Sequence, residues 1–471
     1  MAAPAAVLVA LERGFERTLA DLIGLARIPS VSAAGFDPTH VVRSAERVAE
    51  LFSGAGLECV DVVRIPDAHP YVVGERRAES PDAPTVLLYA HHDVQPPGRE
   101  ERWETPAFDP TVRRDGRLYG RGVVDDKAGV MLHLAALRAW LEATGQLPVH
   151  VKFVVEGEEE IGSAHLATFL ATHRERLKAD VIVLSDTANL ATGLPSLTTS
   201  LRGLVAIDVT VRALDHPLHS GMWGGPVVDA ASALVCLLAR LFDAAGRVAV
   251  LGLDDDVPEL AAAERARIAA LPFDEAIFRR EGGLLAGLRL AGDAERSPYE
   301  RLWMRPAVAL TALEGMPLAT AANQLLAEAS ARVGVRLAPG QDAERVRQLV
   351  TAFLQRDPPW GAIVETRCET AVPGWRTEPV GPAFDAARRA LRLGFGREPA
   401  VIGCGGSIPF VGPFAEVLGG APALLLGLED PSCNAHGENE SLDLDDFRKA
   451  GRAAAHLLAE LSEAALRRLG S

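Results

Sequence analysis

The sequence predicts a two-domain α/β protein, in which a mostly parallel sheet with helices on both faces is interrupted by a smaller inserted α+β domain. Three observations predict it. Between about residues 84 and 198, short apolar strand-like runs alternate with helix-like segments, the pattern of a parallel sheet covered on both sides. From about residue 199 the texture changes to longer alternating strands, and from about Gly381 the alternation of helix and strand resumes. The length of 471 residues exceeds what one hydrophobic core comfortably supports. The expected organisation is therefore a main domain over 1–198 and 380–471 with an insertion over 199–379.

The N-terminal MAAPAAVLVALERGFERTLADLIGLARIPS reads as an amphipathic helix; it lacks a basic leader, and Glu12 and Arg13 interrupt its apolar stretch, against a signal peptide. TVLLYA is a strand running into HHDVQPPG, and GRGVVDDKAG opens the apolar-faced helix MLHLAALRAWLEATG. VHVKFVVEG is the next strand, EEEIGS an acidic turn, and ADVIVLSD a third strand. Ligands of such sheets bind outside the carboxyl ends of the strands. These three strands finish at YAHHD, VVEGEEE and LSD, so their polar groups can converge. In the insertion, LRGLVAIDVTVRALD, RPAVALTALEG and SARVGVRLAPG read as strands and VVDAASALVCLLARLFDAAG as a helix. The last part holds the helix FDAARRALRLGFG, the strands PAVIG and APALLLGL, the loop EDPSCNAHGENE and a C-terminal helix.

Composition removes whole classes of function. A formal charge of −15 argues against a phosphate-binding surface and so against nucleic acid. No apolar run approaches the roughly 18–20 residues of a membrane span, and the expected location is the cytoplasm. Five scattered cysteines without a CxxC pair fit reduced thiols and give no zinc-finger spacing.

His91 and Asp93 lie two apart at a strand end and so point to one side, which lets the carboxylate orient the imidazole. A polar strand end would look the same. Asp125 and Asp126 precede a helix, where capping is the ordinary task of an aspartate, but a pair flanked by glycines exceeds what a cap needs. Glu156, Glu158, Glu159 and Glu160 crowd another strand end, where like charges cost stability unless a cation, protons or solvent offset them. With Asp186 and the distant His436, a set of His91, Asp125, Glu160, Asp186 and His436 emerges. Two imidazoles and three carboxylates suit zinc, manganese or cobalt, and five ligands suit two ions sharing a bridging carboxylate and a water.

The ordered series RIPSVS, YAHHDVQPPG, GRGVVDDKAG, EGEEEIGS, the LSD strand end, LHSGMWGG, GGSIP and the His436 loop resembles the metallopeptidase M20 family, in particular its cytosolic dipeptidase and carnosinase-like branch. The resemblance spans nearly the whole chain. It implies that His91 and Asp186 hold one ion, Glu160 and His436 the other, and that Asp125 bridges. It further implies Glu159 as the general base, Asp93 as the partner behind His91 and a cis peptide between Asp125 and Asp126. His219 would reach across a homodimer, formed through the inserted domain, to stabilise the oxyanion in the partner's site. Gly406 and Ser407 would hold the substrate. This chain departs from the branch at Gly403 and Cys404, and at Ala327 and Glu328 where an arginine is common; Asn323 is the replacement anchor for the substrate carboxylate.

The expected function is a di-metal hydrolase, most simply with two zinc ions, that cleaves dipeptides or similar small peptides by attack of a metal-bridging water. The alternative within hydrolases is an N-acyl amino acid deacylase. A non-catalytic binding module on the same fold is the remoter alternative.

Overall fold

The computed structural model describes residues 1–408, 411–417 and 419–462, without the side chains of residues 413, 415 and 416. Its large sheet has nine strands and is parallel at its centre, as expected, with antiparallel strands at both margins. The central strand Thr85–His91 is buried along its length, because helices cover both faces and no side of it meets water. It pairs in parallel with His150–Glu156 on one side and Val181–Leu184 on the other.

Register places the chemistry. His91 lies opposite Glu156, and Tyr89 opposite Leu184, so Asp186 emerges at the same edge two residues beyond its strand. The strand Ala423–Leu425 pairs in parallel with Val181–Leu184, which carries the following segment to that edge as well. The helix Lys127–Thr144 begins there and buries nearly all of its first three turns. Only one side of that helix was expected to be apolar; it is enclosed by the Ala5–Arg13 and Leu444–Glu460 helices as well as by the sheet.

The N-terminal segment forms two helices, Ala5–Arg13 and Phe15–Ala26, where the periodicity suggested one. Gly14 separates them. A glycine weakens the helix there, and the break lets Val7 and Leu11 of the first helix and Leu22 and Leu25 of the second bury together.

The chain leaves the large sheet after Leu201 and re-enters it at Trp375. Between them lies a four-stranded antiparallel sheet in the order Ala307–Glu314, Glu328–Leu337, Gly203–Arg212, Ile363–Val372. Gly203–Arg212 alternates strictly between buried and half-buried positions. Val205, Ile207, Val209 and Val211 pack with Val333, Val335 and the helices Ala230–Ala239 and Ala343–Gln355. The other face stays open and polar, with Arg332 bonded to Asp208 at 2.6 Å. At the junction the two connections touch: a Cβ on Gly203 would lie 2.6 Å from the Val372 carbonyl, and one on Gly374 2.7 Å from that of Leu201. Among the described residues no helix is long and apolar enough to cross a membrane.

Candidate metal centre and active site

At the carboxyl edge of the large sheet, Asp125 lies between two imidazoles. Its Oδ1 is 3.0 Å from His91 Nε2 and its Oδ2 2.9 Å from His436 Nε2. Each imidazole has a second carboxylate: Asp186 Oδ1 at 3.8 Å from His91, and Glu160 Oε2 at 3.2 Å from His436. All five residues of the expected ligand set are thus brought together, in two halves that share one carboxylate.

The sequence builds this convergence by buried ties. Arg121 pairs with Glu440 at 2.6 Å across 319 positions of chain, and its Nη2 donates to the carbonyls of His436 and Gly437. Glu440 in turn accepts the amides of Gly122 and Val124, so one buried ion pair fixes the His436 loop against the Asp125 loop. His436 adopts a left-handed backbone, φ 63°, which turns its ring into the cluster. Its side chain is 58% exposed, so solvent reaches the cluster from this side.

Asp93 is a hub. Its Oδ1 lies 3.4 Å from His91 Nδ1, its backbone carbonyl lies 3.1 Å from the same nitrogen, and its carboxylate accepts the Ser32 hydroxyl at 2.6 Å. The same carboxylate accepts the amides of Glu159 and Glu160 at 3.2 and 3.1 Å. One fully buried group therefore orients the His91 ring and fixes the turn bearing two glutamates. The Asp125–Asp126 peptide is cis. Asp126 occupies the N-cap position of its helix without a side-chain capping bond; its Oδ2 accepts the His91 amide at 3.2 Å.

Electrostatics show why the cluster suits cations. Burial, then the Asp186 charge, holds the Glu159 carboxyl well above the ordinary range. Burial also lifts Asp126 and Glu429. Asp125 falls below its usual value, because His436 and His91 outweigh the effect of burial on it. Hydrogen bonds to Asp125 and Glu160 push His436 up to about 11, an effect that solvent at its exposed ring screens in part. Behind the cluster, burial pushes Glu156 up to about 8, with its Oε2 accepting the Tyr89 hydroxyl at 2.6 Å. So many carboxylates in one buried place call for positive charge.

The donor atoms fit divalent ions. Three groups have atoms all within 4.8 Å of one another: His91 with Asp125 and Glu160, His91 with Asp126 and Asp186, and Asp125 with Asp186 and Glu429. The Oδ1 of Asp126 is buried without a hydrogen-bond partner among the described residues. A mixed set of imidazole and carboxylate donors without thiolate suits zinc, manganese or cobalt. A model of peptidase family M20/M25/M40 matches residues 87–460, which include every residue of this cluster. The chain belongs to that family.

Relatives carry the assignment further along the chain. A cysteinylglycine-S-conjugate dipeptidase of Corynebacterium striatum is 34% identical over 403 residues, covering 85% of this chain and 86% of that protein. The structure of the di-peptidase Dug1p from Saccharomyces cerevisiae superposes with a TM-score of 0.85 at 26% identity, covering 97% of this chain and 98% of that one. Human carnosine dipeptidase 1 superposes with a TM-score of 0.85 at 25% identity over 98% of this chain and 99% of that one. The expected likeness to the dipeptidase and carnosinase branch is borne out by these relatives.

The remaining expected residues of this M20 chain fall into two other places. His219 is exposed in the segment between Leu201 and Trp375, its Nδ1 accepting the Gly221 amide, and Asn323 lies beside it across the short strand pair that aligns His219 with Gln324. The Asn323 carbonyl accepts the Ser220 amide at 2.9 Å while its side chain faces solvent. Gly406 and Ser407 lie in the turn after the strand Ala400–Cys404; Pro409 of the GGSIP motif is outside the described residues. The Ser407 hydroxyl accepts from Arg336 at 2.8 Å.

Four residues near these places escaped sequence reading. Glu429 reaches the cluster only because Ala423–Leu425 pairs beside Val181–Leu184, a long-range register that no local pattern encodes. Gln95 donates to Glu160 at 2.8 Å from the Pro-rich loop after the first strand. Ser32 was quoted in its motif without a role. Arg336 was readable as a cation on the half-buried face of an alternating strand, SARVGVRLAPG, but its partner turn lies 71 positions away.

Proposed function

We propose that this chain is a two-metal dipeptidase, acting as a homodimer. The observation that carries the reading is the Asp125 carboxylate shared between His91 and His436, with Glu159 fixed beside it. Two divalent ions, zinc first with manganese or cobalt as alternatives, would be held by His91 with Asp186 and by Glu160 with His436 about the shared Asp125; when bound they supply Lewis acidity toward a carbonyl and acidify water.

The residues of the chain do the rest. Glu159 takes a proton at its carboxylate and returns it to the leaving amine, with burial opposing the pull of the neighbouring ions on its basicity. Asp93 holds the Glu159 backbone and the His91 ring in one frame, so base and ligand keep their spacing. Gly406 and Ser407, with Arg336 donating to Ser407, hold the substrate. Asn323 anchors the substrate carboxylate, and His219 acts on the partner's site, where it donates to the developing oxyanion. Their exposure in one copy of the chain, beside exposed Met222 and Trp223, supports a role completed by a second copy. The inserted segment over 199–379 closes the site against long peptides. The unpaired cysteines accord with the cytoplasm.

The deacylase alternative needs the same ions and base. The relatives are dipeptidases by name, and none of the observations favours an acyl pocket. Steady-state hydrolysis of a dipeptide panel that includes Cys-Gly and β-Ala-His, against N-acetyl amino acids, tests the reading. Turnover confined to the N-acetyl substrates would overturn it.

A further inference from the structure

Away from the cluster, a cavity of about 610 Å³ opens within the inserted segment, beside the helix Pro298–Met304. That volume is in the range of small-molecule sites. Its wall includes five arginines. Three are matched by carboxylates: Arg247 by Asp243 at 2.6 Å, Arg296 by Asp293 at 3.1 Å and Arg305 by Asp254 at 2.7 Å. The other two, Arg202 and Arg301, have no carboxylate within ion-pair distance among the described residues.

Arg202 is 8% exposed, and its Nε donates to the Gly405 carbonyl at 3.0 Å. Arg301 spends Nη1 on the Ala291 carbonyl at 2.8 Å, while its Nε is buried without a partner. A buried guanidinium without a counter-charge is costly, and arginine presents a fork shaped for carboxylates. The rest of the wall is apolar and aromatic, with Phe242, Phe278 and Leu290. The acids of the wall, Asp254 and Asp293, are already paired, so nothing there receives an ammonium group.

We propose that this cavity binds a small carboxylate with an apolar or aromatic body and no free amine, anchored by the Arg202 guanidinium and, where Arg301 turns its Nε inward, by a second donor. Such a ligand is neither a dipeptide nor a free amino acid, since both carry an ammonium group. Arg202 also holds Gly405, one residue before the turn assigned to the substrate, so an occupant would be felt at that turn; this last link rests on the proposed function, while the binding itself does not.

The test is calorimetric titration of the metal-free, full-length protein with 3-phenylpropionate, 3-phenylpropylamine and phenylalanine. The expected result is saturable one-to-one binding of 3-phenylpropionate, no binding of the amine and at least tenfold weaker binding of phenylalanine. Arg202→Met should weaken the carboxylate at least tenfold. Leu290→Trp, which fills the cavity from its half-exposed rim without touching the turn, should do the same, and it carries the test if Arg202→Met does not fold. Absence of binding to the wild type overturns the proposal. So does full binding to Leu290→Trp, which would place the ligand at the substrate turn instead. Failure of dipeptide hydrolysis would leave these binding results untouched.

Discussion

The mouth of the large sheet and the tip of the inserted domain both carry histidines assigned to one reaction, yet they are built in opposite ways. His91 is fully buried, bonded on both ring nitrogens and locked to Asp93, Asp125 and Asp186. His219 is exposed, and its ring accepts one local amide. In the proposed reading His91 is held by one chain's own buried network, whereas His219 would wait on the surface for a second copy. His436, tied to Asp125 and Glu160 yet 58% exposed, lies between these extremes.

The largest expected effect breaks the buried side at its chemical centre. Glu159→Gln should lower kcat on the best dipeptide by about 10²–10⁴-fold while elemental analysis finds the same metal content. Loss of metal instead would mean that Glu159 and Glu160 have exchanged roles. Next, His219→Ala should lower kcat by about 10²–10³-fold with unchanged metal content and thermal stability. Mixing it with Glu159→Gln should regain activity through hybrid dimers, whose one intact site has wild-type Glu159 and a wild-type His219 from the other chain. Absence of that rescue would return His219 to a surface role.

Stability tests sharpen the same contrast. Glu440→Gln leaves Arg121 buried beside a neutral partner and should cost on the order of 3–5 kcal/mol in denaturant unfolding, with loss of metal affinity through the His436 loop. An equal cut at the exposed Arg212–Glu328 pair should cost under about 1 kcal/mol.

The last effect concerns pH. Burial raises Glu156 to about 8 in the folded chain, whereas the unfolded chain keeps an ordinary glutamate. A raised carboxyl favours the folded state while protonated, so its contribution is complete at low pH and is lost as pH rises toward 8. Metal-free wild type should therefore lose stability between about pH 5 and 8 relative to Glu156→Gln, read as diverging unfolding midpoints. Parallel profiles would show that the carboxyl finds another way to ionise.

Part of the candidate metal site was legible because three of its groups sit just past the ends of apolar runs, and parallel sheets gather such ends at one edge. His91, Glu160 and Asp186 could be placed in this way, and Asp125 and His436 joined them through their motifs. Glu429 could not, because its position depends on which strand the Ala423–Leu425 segment lies beside. Arg336 was hidden for a related reason: in an alternating strand a cation at a half-buried position reads as a solvated residue until its facing element is known. Arg202, between two strands, is buried by the distant turn whose Gly405 carbonyl it holds. The split of the first helix at Gly14 lay below the resolution of periodicity, since both halves keep the same apolar stripe.

The crossing of Gly203 over Gly374 has a mechanical meaning. Two connections that press backbone against backbone, with no side chain between them, leave no room there for a Cβ. Bulk added at either glycine would wedge the entry and exit of the inserted segment apart, against the Trp303 packing and the Arg336–Ser407 bond that also tie it to the large sheet.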